Sequence, residues 1–177
     1  MKTRLFLLFT AVYLMMFTPI KPQKIQSTFL GCTFGMTDVQ IKDVLKKSEI
    51  NSEIGKSGNI YLKNVTLNSI TYQTACMMFS PIDGTFYKLI GSNEFSSKIK
   101  ADSCYEAQQS LFRGQYEKLQ IIRKPQNAIK MCTYVDNENS FYLGFFKNES
   151  EDAKIVYYVN VNFWNNYFDN RIRENNQ

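Results

Sequence analysis

This sequence predicts an α+β domain: an antiparallel sheet with two helices on one face, built from tandem α-βββ units. Three observations predict it. Thr28 to Lys47 (TFLGCTFGMTDVQIKDVLKK) reads as a short strand, a glycine-marked turn and a capped amphipathic helix. A looser version of that arrangement begins near Ser103. Each is followed by apolar runs separated by short turn signals, which favours strands joined by tight loops and hence antiparallel pairing. Two such sets share one core most simply as a single sheet with its helices on one face.

The 177 residues suit one domain plus a targeting segment. Met1 to Arg4 carry two cations, and Leu5 to Phe17 (LFLLFTAVYLMMF) is uncharged and largely apolar. A basic start followed by a short apolar run is the pattern of a secretory signal peptide. The run is shorter than the roughly 20 apolar residues of a membrane span. Residues 1–24 are therefore expected to be removed on export, leaving one domain over 25–170 and a polar, disordered tail over 171–177. The pseudo-repeats run from about 29 to 91 and from 102 to 170. The expected location is periplasmic or extracellular, with no integral membrane segment after processing.

Removing residues 1–24 takes Lys2, Arg4, Lys21 and Lys24 but no acid, so 17 basic residues remain against 16 acidic ones. The basicity of the full chain is mostly a targeting feature. Nucleic acid is set aside, because a binder needs clustered Lys and Arg. Cys32, Cys76, Cys104 and Cys132 form no C-x-x-C pair, which argues against zinc and thioredoxin-like chemistry. In an oxidising compartment at least one disulfide is expected among three pairings. Leu30-Gly31-Cys32 imitates a lipoprotein processing site. Lys21 and Lys24 separate it from the apolar run, so an ordinary strand cysteine is expected.

Taken in order, Thr28 to Phe34 is a strand. Thr37 caps a helix, with Gln40 completing a capping box. Asp38 and Lys46-Lys47 complement the helix dipole. Ile41, Val44 and Leu45 form the apolar face. Tyr61 to Leu67 and Ile70 to Phe79 are strands joined by Asn68-Ser69, with Ile70, Tyr72, Thr74, Cys76 and Met78 on one face. Ser80 to Gly84 is a turn and Phe86 to Ile90 a third strand. Gly91 to Asp102 is a polar connection. Ser103 caps a second helix whose buried side includes Ala107 and Leu111. Strands follow at Ile129 to Val135, Phe141 to Lys147 and Ala153 to about Phe163. In the last strand Ile155, Tyr157, Val159, Val161 and Phe163 form the core face.

The segments FLGCTFGMT, Tyr105 to Tyr116 and VYYVNVNFWNNYFDN resemble small exported proteins of Bacteroides-type bacteria, most of them uncharacterised. More distantly, the Gly35-Met36-Thr37 turn and its helix are similar to the beta-lactamase-inhibitor-protein and outer-membrane-assembly-lipoprotein fold. The resemblance implies a protein-binding role and carries over no catalytic residue.

The chain has no histidine, which excludes Ser-His-Asp and Cys-His catalysis. No base or cation can be assigned to activate a cysteine. Asp136/Glu138 and Glu149/Glu151/Asp152 are the nearest approach to a paired-carboxylate glycosidase site, and both lie in expected turns. The favoured expectation is a non-catalytic binding or interaction module of the cell envelope, without cofactor or metal, for a protein or glycan partner. The alternative is a hydrolase acting on an envelope polymer through paired carboxylates. The candidate binding residues are Tyr158, Asn160, Asn162 and Trp164, which with Val156 alternate onto the face opposite the core set. Aromatic rings beside amides can hold a sugar or a peptide.

Overall fold

The computed structural model describes residues 24–113, 116, 118–119, 125–149 and 154–175, so of the expected signal peptide only Lys24 falls within it. The chain runs β1 (Thr28–Phe29), β2 (Cys32–Thr33), α1 (Asp38–Lys47), β3 (Ser52–Ile54), β4 (Ile60–Leu67), β5 (Ile70–Phe79) and β6 (Phe86–Phe95). Then come α2 (Lys98–Phe112), β7 (Lys118–Leu119), β8 (Ala128–Val135), β9 (Asn139–Glu149), β10 (Ile155–Asn165) and α3 (Asn166–Asn175). Strands β3 to β10 form one antiparallel sheet in the order β3-β4-β5-β6-β10-β9-β8-β7. The expected α+β architecture is the one observed. The last strand of each run meets the other at the centre, where β6 pairs with β10 from Lys88↔Trp164 to Phe95↔Tyr157.

The core lies between the helices and one sheet face. Ile41 and Leu45 of α1, Ala101, Tyr105 and Phe112 of α2, and the inward strand residues all belong to it. Phe141 is its hub. Fully buried, it stacks on Tyr134 at 4.6 Å and meets Phe163 at 4.8 Å and Phe112 at 4.9 Å. Helix α1 starts as its sequence requires: Thr37 N–H donates to Gln40 Oε1 at 2.9 Å, and Gln40 N–H donates back to Thr37 Oγ1 at 3.4 Å.

Several local expectations are corrected. Thr28 to Phe34 is a hairpin rather than one strand. Leu30 (φ 55°) and Gly31 (φ 79°) turn the chain so that Thr28 pairs with Thr33. Strand β5 changes face midway: Ile70, Tyr72, Ala75 and Met77 are buried, whereas Thr74, Cys76 and Met78 are not. Its neighbour β4 switches at the same level, where Asn64 adopts φ 51°. Side-chain amides then replace the β5–β6 ladder. Gln73 N–H donates to Asn93 Oδ1 at 2.9 Å, Asn93 Nδ2 donates to Thr71 O at 3.1 Å, and Glu94 N–H donates to Gln73 Oε1 at 2.7 Å.

Helix α2 begins earlier than expected, capped by Ser97 instead of Ser103. Strand β6 takes up Gly91 to Phe95 of the expected connection, because β10 is long enough to pair with it through Phe95. The shifted frame buries Ala101, Tyr105, Gln108 and Phe112 and leaves Ala107 and Leu111 exposed. Gln108 is satisfied there, accepting from the Tyr72 hydroxyl at 3.2 Å and donating to Cys104 Sγ at 3.3 Å. The expected tail from 171 is helical as far as Asn175. Asn165 Oδ1 caps α3 by accepting from Tyr167 N–H at 3.2 Å, and Arg173 pairs with Asp169 at 2.8 Å.

The expected disulfide finds no pair placed to form it. All four cysteines are free. Cys132 contacts the Tyr105 hydroxyl, Cys104 contacts Gln108, and Cys76 sits on the other sheet face opposite Tyr61. Cys32 is fully buried, and burial pushes its thiol pKa up to about 11.

Candidate functional site

Period-two alternation along β10 places Tyr158, Asn160, Asn162 and Trp164 on the sheet face turned away from α1 and α2, as expected. Val159, Val161 and Phe163, at 0–1% exposure, hold the opposite face in the core. The pairing keeps this alternation to the end of the strand: Trp164 lies between Lys88 and Ser140, so it does not turn inward. Asn162 lies between Ile90 and Tyr142, Asn160 between Ser92 and Gly144, and Tyr158 between Glu94 and Phe146.

Strand β9 contributes residues that the reading of β10 alone did not include. Tyr142 faces Trp164 with ring centroids 6.1 Å apart and planes at 59°. Phe146 meets Tyr142 edge-on at 6.4 Å. Gly144 lets the Phe146 ring lie flat on the sheet: a Cβ there would stand 2.3 Å from the ring. The signal was present in the sequence. Phe141, Leu143 and Phe145 are the inward set of β9, so Tyr142, Gly144 and Phe146 must point outward.

The polar groups of the face are mostly neutral. Ser92 Oγ and Asn160 Oδ1 are 2.6 Å apart, a hydroxyl-to-carbonyl bond that fixes the Asn160 amide across the β6–β10 junction. Burial pushes the Tyr142 phenol pKa up. Burial, then the charge of Glu94 and a hydrogen bond to it, does the same for Tyr158. Both phenols keep their protons at ordinary pH and can donate hydrogen bonds. Lys88 and Glu94 bring one charge of each sign.

The carboxylates named as an alternative are differently occupied. Asp136 Oδ1 accepts from Glu138 N–H at 2.8 Å and Asn139 N–H at 2.7 Å, while Oδ2 accepts from Ile25 N–H. Glu138 pairs with Lys24 at 2.6 Å. Asp136 and Glu138 thus tie the start of the domain to the β8–β9 turn, with the Ile25 side chain buried beneath. Glu149 ends β9 exposed, and Glu151 and Asp152 lie outside the described residues. Among the described residues no group of His, Cys, Asp or Glu is placed to hold a metal ion. No helix among them is long and apolar enough to cross a membrane.

No family model, curated protein or solved structure matches the chain. The functional reading therefore stands on the geometry of this face.

Proposed function

We propose that this chain is an exported, non-catalytic binding module of the bacterial cell envelope, periplasmic or extracellular, holding its partner on the outer face of β9 and β10. The observation that carries the reading is the Tyr142–Trp164 ring pair, flanked by Phe146 and Tyr158 and set among the amides of Asn160 and Asn162. Rings at the centre of a sheet face offer large, stiff contact area at low entropic cost, and neighbouring amides give direction to the contact. The reading needs no cofactor, and the nearly balanced charge of the domain gives nucleic acid no hold.

The test is capture of a partner from envelope extract by the immobilised protein and by its Tyr158→Ala/Trp164→Ala variant. The double substitution is expected to abolish capture while the melting temperature stays within a few degrees. Unfolding of the variant would make these residues structural and the proposed site wrong.

A further inference from the structure

We infer that the ligand of this face is a neutral oligosaccharide, with a sugar ring stacked on Trp164 and hydroxyl groups bonded to the amide of Asn162. The inference deepens the binding reading above and rests on it. Asn162 is 2% exposed. Among the described residues nothing hydrogen-bonds its side chain, and the amide is not sealed from solvent. Its register neighbours are Ile90 and Tyr142, with Trp164 two residues on along the same face. An amide that has no protein partner and keeps an opening to solvent is left to water or to a ligand group that reaches it. A hydroxyl-bearing ligand between the rings would supply both a donor and an acceptor.

The place of β10 in the sheet narrows the class further. It is hydrogen-bonded to β6 on one side and β9 on the other, so no free edge exists there for an extended peptide to join as a strand. Recognition must come from side chains alone. No arginine lies on the strands of this face, and Lys88 and Glu94 offset one another, so the face does not select an anion. Ring stacking with neutral hydrogen bonders is the complement of an uncharged sugar, which has an apolar ring face and a rim of hydroxyls.

Trp164 is the one tryptophan of the chain, so its emission reports on the site directly. The native protein is titrated with cellohexaose, chitohexaose and mannohexaose, with hexagalacturonate as the anionic control. The expected result is a saturable change in Trp164 emission with at least one neutral hexasaccharide and none with the anion. Asn162→Leu should weaken that response at least tenfold while melting no lower than wild type, because it removes an unpaired amide. A structural role for Asn162 would instead lower stability. Silence with all three neutral sugars overturns the inference, as does a response that Asn162→Leu leaves unchanged. If the sugars are silent but partner capture still depends on Tyr158 and Trp164, the binding reading stands and the ligand is a protein surface. If both fail, both readings fall.

Discussion

Replacing Gly144 by alanine tests how the aromatic face is assembled. The added Cβ would lie 2.3 Å and 2.5 Å from two atoms of the Phe146 ring. Ordinary contact needs at least 3.4 Å, so the ring or the strand must move by about 1 Å or more. Phe146 is 8% exposed, so the ring is confined. Overpacking of this kind costs about 1–3 kcal/mol. Alanine returns about 0.4–1 kcal/mol by restricting the unfolded chain. The net expected loss is between about 0 and 2.6 kcal/mol, or up to roughly 10 °C in melting temperature for a domain of this size. The assay is thermal unfolding of four proteins: wild type, Gly144→Ala, Phe146→Ala and the double variant. With the ring gone the overlap is gone, so Gly144→Ala in the Phe146→Ala background should be neutral or stabilising. An equal cost in both backgrounds would refute the account of Gly144 as the seat of the Phe146 ring.

Three further outcomes follow from other parts of the molecule. The Asp83 carboxyl is held below the usual carboxylate range first by the Thr85 hydroxyl, then by Ser80, the Thr85 N–H and the charge of Arg171. A depressed folded pKa contributes stability that is present above the unfolded value of about 3.9 and lost as pH falls through the folded one. Asp83→Asn should therefore melt slightly lower than wild type at pH 7, by well under 1 kcal/mol at this exposed site. The gap should close below about pH 4, and a gap unchanged at pH 2 would contradict the assignment. Thiol titration of the denatured, unreduced protein should find four free cysteines, and a lower count would reveal a bridge. Mass spectrometry of the exported protein should find its first residue between about Thr18 and Ile25, by the usual signal layout. A start beyond Ile25 would discard a residue that is 2% exposed in the core, and an intact Met1 in the envelope would refute cleavage.

Much of this fold was legible because local chemistry and tertiary packing agree. The Thr37 capping box, the Asn68-Ser69 turn and the alternation of Tyr157 to Trp164 each act within a few residues and are found where the sequence placed them, whereas Ile155, expected in the core face, is 46% exposed at the start of β10. What escaped was decided by partners distant in sequence. The switch of face in β5 depends on Asn64 in β4 and on the amides of Asn93 and Gln73. Leu30 at positive φ disguised a hairpin as a strand, since a leucine there carries no turn signal. Ser97 and Ser103 are both plausible caps in isolation, and the length of β10 extends β6 almost to Ser97. The candidate site was half legible. The β10 residues came from simple alternation, whereas the Tyr142 and Phe146 contribution required knowing that β9 lies beside β10.

The central claim is that the partner sits on the outer face of β9 and β10. Site-specific photocrosslinking in the living cell tests it most directly. A benzophenone amino acid is placed at Tyr158 or Tyr142 on the face, and at Ile99 of α2 as a control that is 79% exposed. The account predicts a discrete ultraviolet-dependent adduct, with protein or glycan, from positions 158 and 142 and none from 99. Adducts from position 99 with silence at 158 and 142 would place the partner on the helical side and contradict it.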